Sequence, residues 1–258
     1  MTIRIKKHSP SGTIVLDAPE RRNALTRNDL GELTQALSDF HLERSVRAVI
    51  LTGAGSAFCS GFDLREIQSA RLAPNALEIW HQDVSAVRNL LLAMLRFPKP
   101  IIAAVNGPAA GIGLALLLAS DLVIGSPQTS AHFAESRRGL VAGLVAPLLV
   151  FRLGAGKAAH WLLQGANVPS DACLAAGLIH EQVPQDALWA RAHELAVACS
   201  ESAPESLQLT KQLLNETVGE QLGTALAAGA AASAAARTTE SAEEGVDAFL
   251  EKRAPQWP

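Results

Sequence analysis

A chain of 258 residues with 48% hydrophobic and 18% charged side chains has a globular balance and enough material for one sizeable domain with a substantial core. Its apolar runs are too short for a membrane span, and a net charge of -3 with scattered Lys and Arg offers no basic field for nucleic acid. Cys59, Cys173 and Cys199 are odd in number and lack metal-ligand spacing, so reduced structural thiols are expected, with no disulfide frame and no metal site. The charged N-terminal residues carry no apolar secretory core, which predicts a cytoplasmic protein.

In chain order, residues 3–7 and 13–16 read as two strands joined by a turn at Ser9-Pro10-Ser11-Gly12. A loop follows at 17–23. Thr26 is an N-cap candidate for a helix carrying Leu30, Leu33, Leu37 and Phe40 at helical spacing. Residues 48–52 form a buried strand, and a loop from Gly53 to Gly61 leads to a helix opening near Phe62. Residues 70–80 look irregular, and a helix over 84–95 ends before Pro98 and Pro100. Strands are expected at 100–105, 122–124 and 130–133. Beyond Gly139 come helices at 142–153, 155–163 and 170–176, a strand at 178–183, and three helices from Ala187 onward. The Ala-rich stretch 224–236 suits close helix packing, either at an oligomer interface or in the core. Alternating strands and helices give an α/β fold class.

The chemistry concentrates at two glycine turns and one acid. Gly107 to Gly113 turns a strand into the apolar helix beginning at Ile112, and Gly61-Phe62 forms a similar turn. The first amides of a helix lack intrahelical partners and sit at the positive end of its dipole, so such a turn can stabilise an oxyanion formed from a carbonyl. Gly111-Ile112-Gly113 is not a dinucleotide fingerprint, because Leu116 stands where the third glycine is needed. Gly154-Ala155-Gly156-Lys157 lacks the first glycine of a P-loop and reads as a turn between helices. Between Asp121 and Asp171 the only carboxylate is Glu135. Isolated in an apolar region, it is either a general acid/base with a raised pKa or a partner of Arg137 or Arg138 in a structural salt bridge.

Several segments together resemble the crotonase superfamily, the enoyl-CoA hydratase and isomerase group, over nearly the whole chain. They are Pro19-Glu20-Arg21-Arg22-Asn23-Ala24-Leu25, Phe58-Cys59-Ser60-Gly61-Phe62-Asp63-Leu64, Pro98 through Gly113, Glu135 with Gly139-Leu140, Ala175-Ala176-Gly177-Leu178-Ile179, and Phe249 through Trp257. The resemblance implies a spiral of ββα units over residues 1–200 and a C-terminal helical region at 201–258 for trimerisation, as a homotrimer or dimer of trimers. It implies an acyl-CoA thioester substrate and no cofactor beyond the coenzyme A moiety. The catalytic groups it implies are the N–H groups of Phe62 and Ile112, as an oxyanion hole, and Glu135. It places coenzyme A against Arg21, Arg22 and Ala24, against Phe62, Asp63, Leu64 and Arg65, at Gly111, and against Phe249 and Lys252.

This chain departs from the efficient hydratases at Ala115, where that pattern has a second glutamate. A single carboxylate suits the double-bond isomerases, yet the Glu-x-Arg-x-Gly-Leu pattern at Glu135 to Leu140 resembles methylglutaconyl-type hydratases. Ile112 stands where the hydratase pattern has glycine, and the segment 143–152 is longer and more apolar than the common turn. The expected activity is hydration of a 2-enoyl-CoA, with enoyl-CoA isomerisation and a non-catalytic acyl-CoA binding subunit as alternatives.

Overall fold

The computed structural model describes residues 2–217 and 219–258. β1 (Ile3–His8) and β2 (Ser11–Leu16) pair antiparallel, as the predicted hairpin requires. α1 (Arg27–Leu42) begins in a capping box: Thr26 Oγ1 accepts from the Asp29 N–H at 3.2 Å, and the Asp29 carboxylate accepts from the Thr26 N–H at 2.8 Å. Leu30, Leu33, Leu37 and Phe40 are all buried, so the helical spacing marks the inward face. β3 (Ala48–Gly53) then lies parallel beside β2.

The chain continues through α2 (Leu64–Arg71), α3 (Ala76–Arg96), β4 (Ile101–Val105), β5 (Pro108–Ala110), α4 (Ile112–Ala119), β6 (Leu122–Gly125) and β7 (Ser130–His132). Next are α5 (Val145–Leu153), α6 (Ala155–Gln164), β8 (Asn167–Pro169), α7 (Ser170–Ala175) and β9 (Glu181–Gln182). The remainder is α8 (Leu188–Ser200), α9 (Pro204–Gln212) running into a π turn (Leu213–Thr217), α10 (Leu222–Ala236) and α11 (Glu240–Leu250).

Two sheets result. The larger has the order β1-β2-β3-β4-β6-β9, parallel except for the first pair, and the smaller has the order β5-β7-β8. Successive turns of the chain give β4 then β5, and β6 then β7, so each turn supplies one strand to each sheet. Single bridges between Cys59 and Ala109 and between Leu25 and Phe62 carry the smaller layer toward the N-terminal turns. This is the α/β class that the alternating elements predicted, wound as the spiral that the family resemblance implied. In the large sheet the side chains alternate: Ile50, Ile102, Ala104 and Ile124 pack on α8, whereas Val49, Leu51, Ala103, Val105 and Val123 join the main core. α4 lies inside that core, with residues 113–119 all buried, and so is apolar all round.

Among the described residues four α-helices, not three, follow Ala187, because Pro204 starts a new one at its first turn. The stretch 70–80 is mostly helical: α2 reaches Arg71 and α3 begins at Ala76. The helix expected from 142 starts at Val145, and the strand expected over 178–183 contracts to Glu181–Gln182. α10 buries Leu222, Leu226, Ala230 and Ala234 in the main core, against α3 and α5. Its small side chains serve helix packing within the chain, while alternate alanines such as Ala227 and Ala231 remain exposed.

Asn23 fastens the loops that carry the first glycine turn. It is buried at φ 55°, its Oδ1 accepts from the Ala18 N–H at 2.9 Å, and its Nδ2 donates to the carbonyls of Ala54, Ala57 and Phe58 at 2.9, 2.8 and 3.2 Å. Asn23→Ala strands these groups in a dry interior and puts alanine in a left-handed conformation. The expected loss is about 3 kcal/mol of stability, measured by urea unfolding; a change below about 1 kcal/mol would mean that water replaces the amide.

Candidate active site

Two glycine turns face each other. Gly61 has φ 104° and Gly111 has φ 51° with ψ -123°, both in the region that favours glycine. A Cβ placed on Gly111 would lie 3.5 Å from the Gly61 Cα and 4.0 Å from Glu135 Oε1, so the turns and the acid converge on one spot.

The backbone pattern aims the amides. Leu25 bridges Phe62 by donating to the Gly61 carbonyl at 2.8 Å and accepting from the Asp63 N–H at 2.9 Å, which turns the Phe62 N–H to the opposite side. Ile112 opens α4, and the first backbone bond of that turn is from the Ala115 N–H to the Gly111 carbonyl at 3.1 Å. Among the described residues, neither the Phe62 nor the Ile112 amide donates to a protein acceptor.

Glu135 leads into a 3-10 turn, Ser136–Arg138. Both of its carboxylate oxygens are buried with no hydrogen-bond partner among the described residues. The salt-bridge alternative therefore falls. Arg137 donates to the Gln164 carbonyl at 2.9 Å, and Arg138 stacks 4.5 Å above the Phe249 ring. Burial pushes the Glu135 carboxyl above its ordinary range, and its own backbone N–H and the positive charge of Arg138 only partly oppose this.

This shift bears on stability. A folded carboxyl with a raised pKa holds its proton more tightly than the unfolded chain does, so it costs stability as pH rises from the unfolded value, 4.5, through the folded one. Glu135→Gln is expected to melt at a higher temperature than wild type near pH 8 and at the same temperature near pH 4. Thermal scans at both pH values check this, and equal melting near pH 8 would show a solvated carboxylate.

The turns and Glu135 line a cleft of about 840 Å³. The same cleft brings together every residue singled out in the sequence: Arg21, Arg22, Ala24, Phe62, Asp63, Leu64, Arg65, Gly111, Ile112, Glu135, Phe249 and Lys252. At its rim Arg22, Arg65 and Lys252 are exposed, and Asp63 caps α2, accepting from the Arg65 N–H at 3.0 Å and from Arg65 Nε at 3.1 Å. Ala115 and Val84, Val87, Leu144 and Val145 supply apolar wall. α11 rides on the Glu135 segment, with Gly245 packed against the Arg138 backbone so closely that no Cβ fits.

Sequence reasoning missed three cleft residues. His132 shares a hydrogen bond of 2.9 Å with Ser130, and burial with the charges of Arg138 and Arg22 keeps its pKa low, so it is neutral at pH 7. Ser233 and Arg237 enter from α10 and its C-terminal end. A lone His at the end of the short strand β7 carried no signal, and nothing in the alanine-rich stretch marks its cleft side. Among the described residues no cluster of His, Cys, Asp and Glu could hold a metal ion, and no helix is long and apolar enough to cross a membrane.

Residues 9–258 match the family model described as enoyl-CoA hydratase/isomerase. The chain is 38% identical over 244 residues to a Thermus thermophilus protein provisionally named an enoyl-CoA hydratase, covering 95% of this chain and 96% of that one. It is 34% identical to an Alternaria alternata enoyl-CoA hydratase, over 95% of this chain and 81% of the other. The solved enoyl-CoA hydratase/isomerase from Xanthobacter autotrophicus superposes with a TM-score of 0.90 at 29% identity, covering 97% of this chain and 93% of that one. With a spiral fold, paired glycine turns and a family match running from residue 9 to residue 258, the chain belongs to the enoyl-CoA hydratase/isomerase family.

Proposed function

We propose that this protein hydrates a 2-enoyl-CoA thioester with one carboxylate. The carrying observation is the buried, unpartnered Glu135 carboxylate set against two turns whose amides lack protein acceptors. The thioester carbonyl lies between the Phe62 and Ile112 N–H groups, and the coenzyme A moiety runs along Arg21, Arg22, Ala24, residues 62–65, Gly111, Phe249 and Lys252. Those amides are strongest where charge develops, because they are fixed before the reaction and shielded from water.

Glu135 takes a proton from water as its oxygen bonds to C3. The C2–C3 π electrons move toward the carbonyl, which becomes an enolate oxygen held by the two amides. The enolate collapses, C2 takes the proton from Glu135, and the carboxylate is restored. Water has then been divided between C3 and C2 with nothing left over. A raised pKa favours both halves of this transfer near neutral pH.

Ala115 supports a second reading. The wall of α4 offers no second acid, and moving a proton between C2 and C4 of a dienolate needs only one. Product analysis with 2-enoyl- and 3-enoyl-CoA thioesters separates the two. Formation of 3-hydroxyacyl-CoA supports hydration, conversion of 3-enoyl to 2-enoyl without hydration selects the isomerase, and binding without turnover selects the non-catalytic subunit. Assembly as a trimer or dimer of trimers belongs to the same reading, and sedimentation giving a monomer would overturn that part.

A further inference from the structure

The inner wall of the cleft holds a positive charge that the proposed reaction does not use. Asp83 on α3 is buried, and Arg27 takes both of its oxygens, donating from Nε to Oδ1 at 2.5 Å and from Nη2 to Oδ2 at 2.9 Å. Arg237 reaches the same carboxylate only through Nη1, at 3.3 Å from Oδ2. This is the only hydrogen bond from its side chain among the described residues, although a guanidinium carries five donors. Glu66 faces Arg27, 3.7 Å away. Two guanidinium groups thus share one buried carboxylate.

The Arg237 side chain is 9% exposed and borders the cleft. It packs 5.6 Å from the Phe62 ring, next to the wall formed by Val84 and Val87, with Ser233 one helical turn before it. Burial lowers its pKa to about 10, an effect Asp83 opposes and Arg27 reinforces, so the group is still cationic at neutral pH. A buried cation with unfilled donors costs free energy that a matching anion recovers. The phosphates of coenzyme A have the exposed Arg22, Arg65 and Lys252 at the rim; the Arg237 guanidinium lies inside, beside apolar acyl wall.

We propose that Arg237 determines specificity by receiving a carboxylate at the far end of the acyl chain, which makes the preferred substrates coenzyme A thioesters of short dicarboxylic acids. A guanidinium binds a carboxylate in a two-pronged geometry that a neutral chain cannot reproduce. The proposal rests on the acyl-CoA reading given above.

Its test needs no turnover. Binding of free CoA, pentanoyl-CoA and glutaryl-CoA to the intact protein is measured by calorimetry, for wild type and for Arg237→Gln and Arg237→Lys. Wild type is expected to bind glutaryl-CoA at least about ten-fold more tightly than pentanoyl-CoA, a ratio that Arg237→Gln brings close to one and Arg237→Lys retains in part. Equal affinities in wild type would overturn the carboxylate site and leave the acyl-CoA reading intact. Equal weakening of free CoA and glutaryl-CoA by Arg237→Gln would make the residue a phosphate contact and also overturn it. Failure of all three ligands to bind would overturn the acyl-CoA reading itself. The wild-type comparison stands alone if a variant does not fold.

Discussion

Replacing Glu135 by Gln is expected to lower turnover by roughly 10²- to 10⁴-fold with acyl-CoA affinity little changed. The substitution is nearly isosteric, and the carboxylate makes no hydrogen bond to the described residues, so little packing or bonding is lost with the charge. What disappears is the one free carboxylate near Gly111 among the described cleft residues: Asp63 is committed to Arg65 and the α2 cap, and Glu20 is exposed at the rim. Wild-type turnover should also fall as pH drops through the Glu135 pKa, with a midpoint above the 4.5 of an ordinary glutamate. The variant should lose that limb. Rates measured with a 2-enoyl-CoA across pH decide the matter, and equal rates for variant and wild type would remove Glu135 from the mechanism.

The second large effect is expected at Gly111. Its Cβ would meet neighbours only at ordinary contact distance, so space is not the obstacle; the backbone at φ 51° and ψ -123° is. Alanine must strain or rotate the peptide, and proline, with φ fixed near -65°, cannot adopt this geometry at all. Rotation moves the Ile112 N–H away from its aim. Gly111→Ala is therefore expected to lose about 3 kcal/mol of transition-state stabilisation, the cost of one oxyanion donor, with a stability loss of about 1–3 kcal/mol. The check is kcat for variant protein verified as folded by circular dichroism, beside affinity for a saturated thioester. An unchanged kcat would mean that the Ile112 amide does not support the oxyanion.

Much of this was legible in the chain, for identifiable reasons. α1 announces itself because Thr26 and Asp29 form a capping box ahead of residues at helical spacing. β3 and β4 read as strands because buried parallel strands are continuously apolar. β5 and β8 did not, since three residues such as Asn167–Pro169 carry no period and become strands only by pairing with β7. The start of α3 was hidden because Asn75 makes no side-chain cap hydrogen bond and the first turn, residues 76–79, buries no side chain; the inward face begins at Trp80. Glu135 stood out as a lone central acid, but its freedom from Arg137 and Arg138 depends on where the 3-10 turn sends those side chains. Asp83 and Arg237 are 154 positions apart, and only the packing of α10 on α3 makes them neighbours.

The seating of α11 on the Glu135 segment has a consequence for synthesis. Strands β4 to β7 can pair as they emerge from the ribosome, yet the backbone of residues 136–138 acquires its packing only when Gly245 and Phe249 arrive far later. A nascent chain thus carries both glycine turns before its acid is fixed. Arg237, Phe249 and Lys252, which line the same cleft, also come late, so the cleft closes around the two turns only when the last helices dock.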